Sequence, residues 1–103
     1  MIFEILYESS KRGELLLING GFCHWHWRQN GQLTIREIIS THPGAGNEML
    51  TYLKQVPGTI SIFAKCPVEL EANIWYAKRG FIQEAQEITR TGRLLNHWRL
   101  YLD

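Results

Sequence analysis

QLTIREIISTHPGAGNEMLTYLKQV, residues 32–56, is the stretch on which the fold turns. Its first nine residues are rich in β-branched side chains and predict a strand. Strict alternation would put Leu33, Ile35, Glu37 and Ile39 on one face and Thr34, Arg36 and Ile38 on the other. THPGAGN, residues 41–47, is a glycine-rich loop. Met49, Leu50 and Leu53 then recur at helical spacing until Pro57-Gly58 stops the run. Gly44 and Gly46 therefore sit between a strand and a helix. Such a junction lets a ligand approach the backbone closely and offers it unpaired N–H groups at the positive end of a helix dipole, so phosphate oxygens are the natural guest. It is not a P-loop, which needs Gly-Lys-Thr/Ser, nor a dinucleotide fingerprint, which needs a third glycine. A tight turn without a ligand is the plain alternative.

Working outward, ELLLING (residues 14–20) and GFCHWHWRQ (residues 21–29) read as strands joined at Asn19-Gly20-Gly21, and Asn30-Gly31 predicts a two-residue hairpin turn into residue 32. Downstream, TISIFAKCP (residues 59–67) is apolar and β-branched enough to be a central strand. VELEANIWYAKRG (residues 68–80) predicts a second helix with Gly80 at its C-terminal cap. Residues 81–88 and 94–102 complete the set as strands around a turn at residues 90–93. Residues 1–12 fit either a strand or a helix; Ile2, Phe3, Leu6 and Tyr7 make a helical stripe that would end near Gly13. The order αβββαβαββ predicts one α+β domain over residues 1–103: a mixed, mainly antiparallel twisted sheet flanked by helices.

Composition narrows the function classes. Eleven basic and ten acidic residues leave a net charge of +1, too balanced for the broad basic field of unspecific nucleic-acid binding. The N-terminus lacks a basic leader, and no window approaches the ~18 apolar residues of a membrane span, so the expected setting is cytoplasmic. Cys23 and Cys66 lie in apolar runs and read as reduced core thiols. Four Trp in so small a chain would leave apolar surface over for a homodimer.

The two motifs together resemble the GNAT superfamily of N-acetyltransferases. THPGAGNEML is similar to the family's acyl-CoA loop, Arg/Gln-x-x-Gly-x-Gly/Ala, with Gly44 and Gly46 at the small positions and Thr41 departing from the first. NIWYAKRGF, residues 73–81, is similar to the family's Asn…Tyr-x-Lys-x-Gly-Phe signature at Asn73, Tyr76, Lys78, Gly80 and Phe81. The likeness covers residues 32–88 by motif and residues 14–31 by pattern. The family's first strand and much of its first helical pair lack a counterpart.

The resemblance implies an acyl-CoA N-acyltransferase-like fold and transfer of acetyl from acetyl-CoA to a small-molecule or peptide amine. Ile38 and Ile39 would offer backbone to the pantetheine. Thr41, Gly44, Ala45, Gly46 and Asn47 would line the pyrophosphate, with Asn73 and Lys78 as further cofactor contacts. Tyr76 would protonate the departing thiolate, and Glu37 would take the amine proton, directly or through water. The groove is expected between the strands carrying Glu37 and Ser61. Without catalysis, the same fold would serve as a CoA-binding or protein-interaction module, a reading that Thr41 favours. His24 and His26 share a strand face that Cys23 does not, which argues against zinc and leaves them as surface or acceptor-groove side chains.

Overall fold

The computed structural model describes residues 13–102; the helix expected at the N-terminus falls outside them. Six strands, β1 (Leu15–Ile18), β2 (Gly21–Trp27), β3 (Gln32–Ser40), β4 (Ser61–Pro67), β5 (Ile82–Ile88) and β6 (Leu94–Tyr101), form one sheet in the order β1-β2-β3-β4-β6-β5. Helix α1 (Ala45–Lys54) joins β3 to β4, and α2 (Ala72–Lys78) joins β4 to β5. The β3–β4 pair is parallel and every other neighbour is antiparallel. This is the mixed, mainly antiparallel sheet with flanking helices that the element order predicts.

Both helices pack on the same face. Met49, Leu50 and Leu53 of α1 and Tyr76 of α2 share one buried cluster with Cys23, Trp25, Leu33, Ile35, Ile62, Ala64, Cys66 and Trp98 of the sheet. Register explains the grouping: Leu33 lies beside Ile62, Ile35 beside Ala64, and Ala64 beside Trp98. Burial of these apolar side chains is the main stabilising term. It also pushes the Cys23 thiol up to about 12, so that sulfur packs as a neutral hydrophobe.

Three local readings change. Strict alternation along β3 fails because the strand bulges: His24 lies opposite Glu37 but Trp25 opposite Ile35, leaving Arg36 as an extra residue. Ile35 and Ile38 therefore share the helix-bearing face, since their partners Trp25 and Cys23 are both in the core. Glu37 does not share a face with Leu33 and Ile35; it stands opposite His24, on the other side of the sheet.

The β2–β3 hairpin has a three-residue loop, not two. Gly31 N–H donates to Arg28 O and Arg28 N–H to Gln32 O, so Gln29-Asn30-Gly31 forms a turn closed by a left-handed glycine at φ 86. Asn30 keeps negative φ, and its Oδ1 accepts from Gln32 N–H at 3.0 Å.

Helix α2 begins at Ala72, four residues later than the pattern suggests. Residues 68–71 turn, with Leu70 N–H donating to Pro67 O. Asn73 stabilises that turn: its Nδ2 donates to Pro67 O at 2.8 Å and to Leu70 O at 2.7 Å, competing successfully with helical continuation.

The other end of the Asn73 amide reaches the sheet. Its Oδ1 accepts from Asn96 Nδ2 at 2.9 Å and from the Trp98 indole N–H at 2.8 Å. Truncation to alanine would strand buried donors on Asn96 and Trp98 and free two carbonyls. We expect Asn73→Ala to lower unfolding free energy by about 3 kcal/mol in urea titration. A loss below about 1 kcal/mol would contradict this role for the amide.

Candidate functional site

Parallel pairing of β3 with β4 runs only from Gln32↔Ser61 to Ile35↔Ala64. Beyond it, β3 continues to Ser40 held by β2 alone, while β4 continues to Pro67 held by β6 alone. The strands diverge, and the β3 edge past Ile35 has no strand partner on its β4 side. This fork opens away from Ser61, whose hydroxyl accepts from Arg99 Nη1 at the closed end. The opening thus lies between the strands that carry Glu37 and Ser61, at the end away from Ser61.

On the helix-bearing face the fork opens into a cleft of about 390 Å³. Ile38 and Ser40 of β3, His42 to Gly44 of the loop, Gly46 and Asn47 in the first turn of α1, and Trp75, Tyr76 and Arg79 in and just after α2 form most of its wall. Thr41 anchors the loop: its N–H and hydroxyl both donate to Gly20 O, at 2.6 and 3.0 Å. Ala45 N–H turns back to His42 O at 3.2 Å, and Glu48 N–H begins the helical ladder on Gly44 O. Among the described residues, nothing accepts from the amides of Gly46 and Asn47 between them. Gly44 holds φ 87, which demands glycine, and a Cβ there would meet nothing within 4 Å. Gly46 has no such φ, and its missing Cβ would rest at ordinary contact distance, 3.4 Å, from the Trp75 ring. The Trp75 indole N–H donates to Asn47 Oδ1 at 3.2 Å, tying α2 to the start of α1.

Tyr76 is fixed by the end of its own helix. Phe81 N–H donates to Tyr76 O and Gly80 N–H to Ala77 O, a Schellman closure that requires the left-handed Gly80, φ 91. The Phe81 ring meets the Tyr76 ring edge-on at 5.0 Å, and Trp98 stacks at 6.2 Å. Burial raises the Tyr76 pKa well above the ordinary phenol value, with smaller contributions from the neighbouring thiols of Cys66 and Cys23. The ring is 4% exposed, yet its hydroxyl has no hydrogen-bond partner among the described residues and the residue lines the cleft. A neutral phenol held in a mostly apolar wall is a proton donor available to a group inside the cleft.

Of the residues singled out from sequence, the cleft brings together Ile38, Gly44, Gly46, Asn47 and Tyr76. Ala45 is buried behind the loop, and Ile39 is exposed outside the lining. Thr41 is spent on Gly20. Asn73 is spent on protein partners. Lys78 is exposed at the end of α2 and outside the wall. Glu37 is on the far face of the sheet, next to the fork. His24 is buried, and His26 Nδ1 lies 2.9 Å from Glu14 Oε2. Ser40, Ala72 and Arg79 were not singled out. Helical spacing could have found two of them, because Ala72, Trp75, Tyr76 and Arg79 recur at i, i+3, i+4 and i+7.

No family model and no curated protein matches the chain. Solved structures do. A Bacillus anthracis protein, provisionally named a streptothricin acetyltransferase and solved with acetyl coenzyme A, superposes with a TM-score of 0.80 at 19% identity over 96% of this chain and 70% of its own. A Bacillus cereus acetyltransferase of the GNAT family gives 0.79 at 17% identity over 95% and 77%. A Desulfovibrio desulfuricans protein assigned to the GNAT family gives 0.68 at 18% identity, covering 80% of this chain and 60% of that one. The chain thus has the GNAT fold and spans between 60% and 77% of these proteins' lengths.

Gly44, at the end of the loop, and Gly46, in the first turn of α1, differ in what they tolerate. We expect Gly44→Ala to cost about 1 kcal/mol through its positive φ, and Gly46→Ala to stay within about 0.5 kcal/mol. Equal denaturation midpoints for the two variants would contradict the assigned loop geometry.

Proposed function

We propose that this chain is an acetyl-CoA-dependent N-acetyltransferase that moves acetyl directly to an amine. One observation carries the reading: the unpaired β3 edge and the unpaired amides of Gly46 and Asn47 open onto the same cleft. Extended amides of a pantetheine arm need strand-edge partners, and a diphosphate needs N–H donors at a helix N-terminus. The donor set fits both. Gly44 leaves room for close approach, and Arg79 puts a cation on the α2 side.

Acetyl-CoA supplies the activated acyl group, and the chain's own residues align and protonate. The β3 backbone beyond Ile35, at Ile38 and Ile39, would hold the arm. Tyr76 would give its proton to the thiol leaving group, with Cβ to hydroxyl held rigid by Phe81 and Trp98. Glu37, on the opposite face beside the fork, would receive the amine proton. Thr41 supports a second reading, a noncatalytic CoA-binding module. Its hydroxyl is already satisfied by Gly20, so the side chain adds nothing to phosphate attraction where the family carries Arg or Gln.

Titration calorimetry with acetyl-CoA tests the cleft: saturable binding below ~1 mM is expected, and its absence would defeat the reading. Tyr76→Phe should bind acetyl-CoA as the parent does, while kcat falls about a hundredfold. Unchanged kcat would remove the acid role. Since burial raises the Tyr76 pKa, the phenol stays protonated as pH rises through the ordinary tyrosine range. The kcat profile should therefore lack an alkaline fall at or below pH ~10 attributable to this residue, and Tyr76→Phe should leave any such fall in place.

A further inference from the structure

A second cleft, of about 380 Å³, runs along the opposite face of the sheet beside the paired β3–β4 segment and reaches the fork at Arg36 and Lys65. Arg28, Arg36, Lys65, Gln32, Thr34 and Phe63 line it. Register fixes the face: Ile62, Ala64 and Cys66 of β4 are in the core, so Phe63 and Lys65 point away from the helices. Arg36 and Lys65 are the first residues past the last parallel pair, Ile35↔Ala64. They therefore flank the gap through which this cleft and the one beside Tyr76 approach each other.

Its charge is one-sided. Three cations line the cleft and no acid does. Lys65 Nζ is matched by Glu87 Oε1 at 2.7 Å, and Lys65 and His97 together hold that carboxyl below its usual range. Arg99, over the Phe63 ring at 4.8 Å, is committed to Glu84 at 2.8 Å. Arg28 and Arg36 have no acid partner among the described residues. Two unmatched guanidiniums beside an aromatic floor form a receptor for a planar or tetrahedral oxyanion. Glu37, next along β3 and on this same face, supplies the opposite charge that an ammonium group needs.

Resting on the transferase reading, we infer that the acceptor is a small amine bearing its own carboxylate or phosphate, whose anion is held by Arg36 and Arg28. The bulge at Arg36 makes this possible, because it turns Arg36 and Glu37 toward the same face next to the gap. The neutral amine nitrogen would form the new C–N bond at the thioester carbonyl. The C–S bond breaks with its electron pair on sulfur, one amine proton leaves toward Glu37 or water, and one proton reaches the thiolate from Tyr76.

Two matched pairs of acceptors test this: glycine against glycinamide, and phosphoethanolamine against ethanolamine, with CoA release as the readout. At least one anionic member should exceed its neutral partner about tenfold in kcat/KM, and the pair that does so identifies carboxylate or phosphate. Arg36→Gln should abolish that preference through KM while acetyl-CoA affinity by calorimetry stays unchanged. Equal use of charged and neutral members, or a preference that survives Arg36→Gln, overturns the inference and leaves the transferase intact. If acetyl-CoA fails to bind, the transferase reading falls on its own. The cleft is then read by titrating inorganic phosphate and acetate while following the amide resonances of Thr34 and Phe63. A saturable shift lost in Arg28→Gln and Arg36→Gln supports the anion site, and its absence overturns it.

Discussion

Parallel pairing between β3 and β4 stops after four residue pairs, and the rest of the candidate site depends on that stop. The Arg36 bulge bends and twists β3 just where pairing ends. β4 instead follows β6 through seven paired positions to Pro67, which lacks an N–H to offer. Unpaired strand edges are normally covered or blunted, because they invite association with another chain. Here the open edge is short, faces a cleft, and is flanked by helix α2 and the loop before α1. It is protected from other chains yet available to an extended ligand.

Residues that touch no ligand hold this opening in place. Asn73 ties the end of β4 to β6 and delays the start of α2, which sets where Trp75, Tyr76 and Arg79 emerge. Gly80 closes the helix so that Phe81 packs beneath Tyr76. Thr41 fastens the loop to the β1–β2 turn through Gly20. The motif at Asn73, Tyr76, Gly80 and Phe81 that resembles the GNAT signature thus reads physically as a helix frame, with Tyr76 the member that reaches the cleft.

Much of this was legible in the sequence, and what was not has identifiable causes. Gly44 and Gly46 between a β-branched run and an amphipathic run located the loop, because turn chemistry and periodicity are local. The face of Glu37 was not legible, because one inserted residue at Arg36 inverts an alternation that sequence can only assume regular. The framing role of Asn73 was not legible, since its five partners are distant or on a turn that no pattern announces. The Asn30-Gly31 dipeptide located the hairpin correctly, but the type I turn with a left-handed glycine uses the same residues. Arg28, Arg36 and Lys65 are scattered in sequence and only the sheet register gathers them.

Hydrogen–deuterium exchange at residues 37–47, with and without acetyl-CoA, tests the fork most directly. Amides of the β3 segment past Ile35 that face the cleft, and those of Gly46 and Asn47, should exchange quickly in the free protein and slow severalfold when acetyl-CoA is added, as partners replace solvent. Slow exchange of these amides in the free protein, or rates indifferent to saturating acetyl-CoA, would contradict the account.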